Sequence, residues 1–356
     1  MGGERGIMTG AAKTVLKSAV IRAGLEGLHI AERVGLAGTP HVRSVIFTLH
    51  HVRPASRRSF APNAHLEITP HFLDTAITAL KADGFEPVAL CDLPARMAGA
   101  ADGARFFAFT LDDGYRNNRD HALPVFRKHA VPFTVFVTRG FVERRQSLWW
   151  ETAADLIAHV PQLSFDFGQG RGVEIVPTGT HGEKCRAFER LAATIRSQEQ
   201  DRFIAELDDA ALSAGIDPLT IVDHEVMDAG ELRNFSDDPL VSLGAHTLTH
   251  PSLAHVADDR LENEMACSAE FVSAITGQAT ESFAYPYGDA HAAGPREYAA
   301  AAKAGFRLAV TTQPGTIDRT MLEREPTALK RISLNGHYQK ARYVRALASG
   351  LAFKFV

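Results

Sequence analysis

The sequence predicts an α/β fold of about seven strand–helix units interrupted by a largely helical insertion, and three observations carry that expectation. From residue 41 onward, short runs rich in β-branched and aromatic residues alternate with helix-patterned segments, as in folds built around parallel strands. Several of the helical segments end at glycine, and two of these also open at proline, which is the usual punctuation of helices. The alternation then breaks between about residues 139 and 237, where helical patterns follow one another without a clear strand of the main series.

In order, the candidate strands are VRSVIFTLHHV (42–52), FEPVAL (85–90), RFFAFTL (105–111), PFTVFVT (132–138), LVSLGAHT (240–247), SFAYPYG (282–288) and FRLAVTT (306–312). Between them lie the candidate helices PHFLDTAITALKADG with its stop at Gly84, RNNRDHALPVFRKHA, DDRLENEMACSAEFVSAITG ending at Gly277, and PREYAAAAKAG ending at Gly305. The insertion opens on SLWWETAADLIAHV and continues through the helical stretch 181–215. Phe141 and Phe235, near its two ends, read as packing residues. The main domain is expected over 41–345, with residues 346–356 as a tail.

Residues 1–40 read as a separate, mildly amphipathic helical segment. Lys13, Lys17, Arg22 and Glu26 interrupt it, so it holds neither the apolar core of a secretory signal nor the roughly 20 apolar residues of a spanning helix. Two readings stand: a helix packed on its own domain, or peripheral contact with a membrane surface. The expected location is cytoplasmic, with the inner membrane as the surface for such contact. Three isolated cysteines, Cys91, Cys185 and Cys267, suggest neither a disulfide framework nor a thiolate metal site. A hydrophobic content of 45% over 356 residues is ample for a packed core, while a net charge of -4 gives no basic field for nucleic acid.

The reactive side chains are informative by position. His50 and His51, Asp112 and Asp113, His246 and His250, and Tyr285 and Tyr287 each follow the apolar part of a candidate strand. The carboxyl ends of parallel strands share one face, so these four segments are expected to meet in one site. In HTLTH, His246 and His250 stand four apart, which lets both imidazoles face one metal if the segment turns helically. Asp113 would add a hard oxygen donor and leave positions open for water and substrate. A metal so held acidifies water and polarises a carbonyl, which suits hydrolysis of an amide or ester. Asp112 and Asp113, read as an extended strand end, point to opposite sides, leaving one carboxylate free as a base. The alternative is an ordinary Asp-Asp-Gly turn, with the histidines as surface residues.

These blocks resemble the polysaccharide deacetylases, the NodB-homology group of carbohydrate esterase family four. The family's TFDDG block is similar to TLDDG (110–114), its His-Ser/Thr-x-x-His block to HTLTH (246–250), and its proline–tyrosine–glycine block to AYPYG (284–288). The resemblance spans about residues 41–335 apart from most of the insertion. It implies a distorted (β/α)7-type barrel that removes acetyl groups from an N-acetylated saccharide, with a divalent metal, commonly zinc, on Asp113, His246 and His250. It further implies Asp112 as general base and the Tyr287 backbone N–H as oxyanion donor. O-acetyl esterase or cyclic-amide hydrolase chemistry on the same barrel, or an inactive saccharide-binding protein, are the alternatives.

Two departures bear on mechanism. Many members carry an aspartate-orienting arginine where this chain has Ala284; Arg331, in LKRISL, is the candidate replacement from a neighbouring strand, with a surface position as the other reading. There is also no Leu-x-His block near the C-terminus to supply the general acid. FTLHHV is similar instead to the opening of permuted members such as the poly-N-acetylglucosamine deacetylases, which aligns His50 with that acid and leaves His51 as the fallback. Tyr285, Pro286, Trp149, Trp150 and Arg331 are expected near the substrate, the tryptophans either stacking on sugar or anchoring the insertion.

Overall fold

A computed structural model describes residues 23–27, 44–56, 58–196 and 200–353. Eight parallel strands form one strongly curled sheet: β1 (Ser44–Leu49), β2 (Phe85–Pro87), β3 (Arg105–Leu111), β4 (Phe133–Val137), β5 (Val241–Ala245), β6 (Ser282–Ala284), β7 (Leu308–Val310) and β8 (Ile332–Ser333). Their order is β7-β6-β5-β4-β3-β1-β8, with β2 paired to the start of β3. The curl brings β7 back to the segment before β8, where Thr311 N–H donates to Leu329 O and Leu329 N–H to Ala309 O. The result is the α/β barrel expected from the alternating pattern.

Every residue of β1 and β4 is buried, because a parallel sheet is covered on both faces and its strands read as continuous apolar runs. Ile46, Ala108, Phe136, Ala284 and Val310 form the inner cluster. Val45, Phe47, Phe107, Phe109, Val135 and Val137 belong to the outer cluster, under the helices. Helices Pro70–Ala82, Leu123–His129, Asp258–Thr276 and Pro295–Lys303 appear where the sequence placed them. Pro70 stands at the first helical position behind the Thr69 cap, and Gly277 closes the longest of the four in a left-handed conformation. The second of the four is preceded by a π-helical turn over Asn118–Ala122.

The insertion has its own core. Helices Trp149–His159, His181–Ile195, Gln200–Ser213 and Pro218–Glu225 enclose Leu156, Leu191, Phe203 and Val222, and Tyr115, Phe141 and Trp150 join this cluster to the barrel. It also holds an antiparallel hairpin, Gln162–Asp166 with Val173–Pro177, that the sequence reading did not foresee. Beyond the barrel strands, helix Ala341–Ala348 buries Tyr343, Val344, Ala346 and Ala348. Of the amphipathic segment 1–40, only Ala23–Gly27 are described: they are helical, Leu25 is buried, and Glu26 accepts hydrogen bonds from Arg342 and Tyr343. The remaining expectations for 1–40, membrane contact included, lie outside the described residues. No described helix is long and apolar enough to cross a membrane.

Candidate active site

Strand register assembles the site. Leu49 pairs with Leu111 and Leu111 with Val135, so the residues that follow these strands leave the sheet at one level. Asp112 N–H donates to Leu49 O (3.0 Å) and His246 N–H to Val137 O (3.0 Å), which carries the register one residue past the strands. The carboxyl-end cavity, about 360 Å³, is lined by His50, Asp112, Asp113, His246, His250 and Tyr287. Trp149, Trp150, Asn63, His65 and Arg196 complete its walls.

The two carboxylates do not diverge by strand alternation, as the sequence suggested. The chain turns instead: Asp113 has φ +72° and Gly114 φ +69°, left-handed conformations that swing Asp113 out of the strand line. Glycine suits the second of these, where the left-handed φ strains other residues and a Cβ would meet Val137 Cγ1 at a tight 3.1 Å. Nor is HTLTH helical. Thr247 (φ +68°) and His250 (φ +58°) are both left-handed, and the loop is held by hydrogen bonds. His250 N–H donates to Thr247 Oγ1 (2.9 Å), and buried Glu264, from helix Asp258–Thr276, accepts from Leu248 N (2.7 Å), Thr249 N (3.0 Å) and Thr249 Oγ1 (2.5 Å).

This turn brings the three expected donors together. Asp113 Oδ1 lies 3.6 Å from His246 Nε2 and 3.5 Å from His250 Nε2, all three side chains being buried. Asp113 Oδ1 has no hydrogen-bond partner, a costly state for a buried carboxylate oxygen. His246 Nδ1–H can donate to Ala284 O (2.6 Å), which leaves the Nε2 lone pair aimed at Asp113. Burial pulls both histidines below their usual pKa, His250 strongly, so the rings are neutral and able to ligate. Burial and the neighbouring Asp112 charge push Asp113 up. Two neutral imidazoles around an orphaned carboxylate oxygen are a donor set suited to a divalent cation.

Asp112 is set apart from this trio. Arg331 is fully buried, and its guanidinium grips Asp112 with two bonds, Nη1 to Oδ1 at 2.7 Å and Nη2 to Oδ2 at 2.8 Å. Arg331 Nη1 also donates to Thr110 Oγ1 (3.0 Å) and Nε to Thr311 O (2.7 Å), so it is anchored inside the barrel. Burial alone would raise the Asp112 pKa; the Arg331 charge overrides it and holds the carboxyl well below its usual range. The place left by Ala284 is thus taken by an arginine from the segment entering β8, and the surface reading of Arg331 is corrected.

Other residues fall as follows. The His50 ring lines the cavity, with burial pulling its pKa down to about 3. His51 is buried, hydrogen-bonded through Nδ1 to Asn117 Nδ2 (2.8 Å) and packed at a tilt against Tyr115 with ring centroids 3.7 Å apart. Tyr287 is left-handed (φ +61°), and its hydroxyl accepts from Trp149 Nε1 (2.8 Å) and Gln200 Nε2 (2.9 Å). Trp149 and Trp150 are largely buried anchors of the insertion, and both also line the cavity. Three residues expected near substrate do not line the cavity. Tyr285 is buried with its hydroxyl on Thr327 O (2.7 Å), Pro286 is buried beneath the loop, and Arg331 lies behind Asp112. Glu264, Thr48 and Asn63 had no sequence signal, being isolated polar residues at unremarkable spacings.

The fold and this four-residue group define a hydrolase barrel of the deacetylase type. The polysaccharide deacetylase family model matches residues 100–162 and 216–309, which hold Asp112, Asp113, His246, His250 and Tyr287. The match covers 157 of the 356 residues and makes the chain similar to that family; together with the shared fold it supports a carbohydrate deacetylase. Several solved structures share the fold. IcaB from Ammonifex degensii has a TM-score of 0.53 and 17% identity, with 86% of this chain and 97% of that one covered. The deacetylase PplD of Streptococcus pyogenes, in complex with acetate, gives 0.50 and 15%, covering 83% and 92%. A de-N-acetylase from Aggregatibacter actinomycetemcomitans gives 0.51 and 10%, covering 85% and 99%. No curated protein sequence matches significantly.

Proposed function

We propose that the protein is a metal-dependent deacetylase of an N-acetylated saccharide, with a divalent cation, zinc for preference, held by Asp113, His246 and His250. The observation that carries this reading is the separation of duties between neighbouring carboxylates. Asp113 faces two histidines with an unpartnered oxygen, while Asp112, 2% exposed, is kept ionised by Arg331 on the same cavity wall. When bound, the cation supplies a Lewis acid for the acetyl carbonyl and for water.

The chain's own groups supply the rest. Asp112 accepts the proton of the attacking water, its orientation fixed by the two Arg331 bonds and by Thr48 Oγ1 at 3.4 Å. The Tyr287 N–H, at the left-handed corner of the AYPYG loop, donates to the oxygen that gains charge. His50 is neutral in the resting cavity; negative charge building on the substrate raises its proton affinity, so it takes up the proton that Asp112 has drawn from water and delivers it to the leaving amine, returning Asp112 to its ionised form. Trp149 and Trp150 bound the space in which the sugar ring would sit. The reading of an inactive saccharide binder loses its support, because the role vacated at Ala284 is filled by Arg331.

The test pairs metal analysis with acetate release from N-acetylglucosamine oligomers. One cation per chain is expected, with turnover lost in Asp112→Asn while the cation is retained. Sugar binding without either cation or turnover refutes the proposal. Release of acetate from O-acetylated sugars alone moves the assignment to an esterase.

A further inference from the structure

Helix His181–Ile195 of the insertion carries two apolar stripes where a surface helix needs one. The first, Ala187, Leu191 and Ile195, is buried in the insertion's own core. The second, Cys185, Phe188 and Ala192, lies roughly a quarter turn round the helix and is only partly covered. It forms one wall of a groove of about 710 Å³ whose other wall is Phe60, Ala61 and Pro62. Phe60 and Phe188 meet edge to face at 6.3 Å between centroids. The groove adjoins the catalytic cavity, Phe188, Ala192 and Arg196 lining both.

A saccharide chain leaving the cavity along this helix would need partners for its hydroxyls. The lining is mostly methyl groups and ring faces; of its four polar members, His181, Glu189, Arg196 and His337, Arg196 pairs with Asp289 Oδ2 at 2.6 Å and lies over the Tyr287 ring, while His181 Nδ1 meets Ser59 O at 3.1 Å. An alkyl chain needs no such partners and gains from each methylene removed from water. We propose that this groove seats an apolar aglycone, so that the substrate is an N-acetylated sugar carrying a long alkyl or prenyl chain, the sugar in the catalytic cavity and the chain along helix His181–Ile195. The proposal rests on the deacetylase reading and extends it to the class of substrate.

The experiment compares kcat/KM for acetate release from methyl, butyl and octyl glycosides of N-acetylglucosamine, below their micellar concentrations, with that for N-acetylglucosamine oligomers of one to five units. Partial burial of the chain predicts a rise on the order of twofold per added methylene. The readout is the octyl-to-methyl ratio, and Ala193→Trp, which obstructs the groove from its lining, should bring that ratio to near one. A ratio near one in the unmodified protein overturns the proposal. So does a rate that climbs with sugar units but not with alkyl length, or an octyl advantage that Ala193→Trp leaves intact. If no glycoside releases acetate, the deacetylase reading has failed by itself. Equilibrium binding of the same glycosides to Asp112→Asn then decides the groove, with octyl binding no tighter than methyl sinking it.

Discussion

Replacing Arg331 by methionine probes the ion pair on which the whole site depends. The guanidinium is fully buried and Asp112 is 2% exposed, so the change leaves a buried carboxylate with only the weak 3.4 Å bond from Thr48 as side-chain support. Breaking a buried pair from one side costs about 3–5 kcal/mol, unless the orphaned group takes up a proton. The sign with pH follows. In the unmodified protein the folded Asp112 pKa is depressed, so its contribution is present above the unfolded value near 4 and is lost as pH falls below it. In Arg331→Met burial raises that pKa, so stability is highest in acid and declines as pH rises. The deficit of the variant should therefore be small near pH 4 and reach its full size by pH 7. Urea unfolding of cation-free protein measures it, and a cycle with Asp112→Asn isolates the pair: the double variant should recover all but about 1–2 kcal/mol, since removing both charges of a buried pair is often near neutral. Activity of Arg331→Met should fall at pH 7. A deficit below about 1 kcal/mol, or strict additivity in the cycle, would show that Arg331 does not hold Asp112 and that the vacancy at Ala284 is real.

Two further outcomes are expected. His50→Ala should lower turnover by roughly 10²–10⁴-fold, the usual range for loss of a general acid, while the cation content stays at the unmodified level; unchanged turnover would exclude His50 from the proton path. Asp208, partly buried in the insertion, is pushed up to about 6 by desolvation. Its folded pKa lies above the unfolded one, so it weakens the fold increasingly from about pH 4 to 6 and by a constant amount above. Asp208→Asn should stabilise by about 1 kcal/mol at pH 8, after discounting for solvent screening, and by nothing at pH 4. Thermal unfolding at the two pH values checks this, and an equal gain at both contradicts it.

The barrel was legible because its strands are buried on both faces: SVIFTL and FTVFV need no partner information to be read as core strands. The site was legible because Asp112, Asp113, His246 and His250 follow such runs directly. Their geometry was not. Strand alternation and helical spacing both assign the side chains by regular periods, whereas Asp113, Thr247 and His250 are in left-handed conformations that no period describes. The role of Arg331 was open because its reach to Asp112 crosses the barrel interior, which depends on how β8 lies beside β1. The hairpin Val173–Pro177 escaped because Val173 and Ile175 point to solvent and Glu174 to the protein side, the reverse of the usual alternation.

Among the described residues six non-glycine residues have positive φ, and four of them, Asp113, Thr247, His250 and Tyr287, are at the candidate site. Each such residue costs on the order of 1–2 kcal/mol, so they persist only where the surroundings over-determine them. The surroundings do so here: Glu264 gathers three donors of the HTLTH loop, Thr138 Oγ1 donates to His246 O at 2.7 Å, and Thr312 Oγ1 donates to Tyr287 O at 2.5 Å. None of these three groups faces the substrate as a reagent; their work is to keep strained corners closed. Arg331 does the same for Asp112 by charge. The barrel therefore carries the donors in position before any cation arrives, and the ordering that a flexible loop would require on binding is already met by folding.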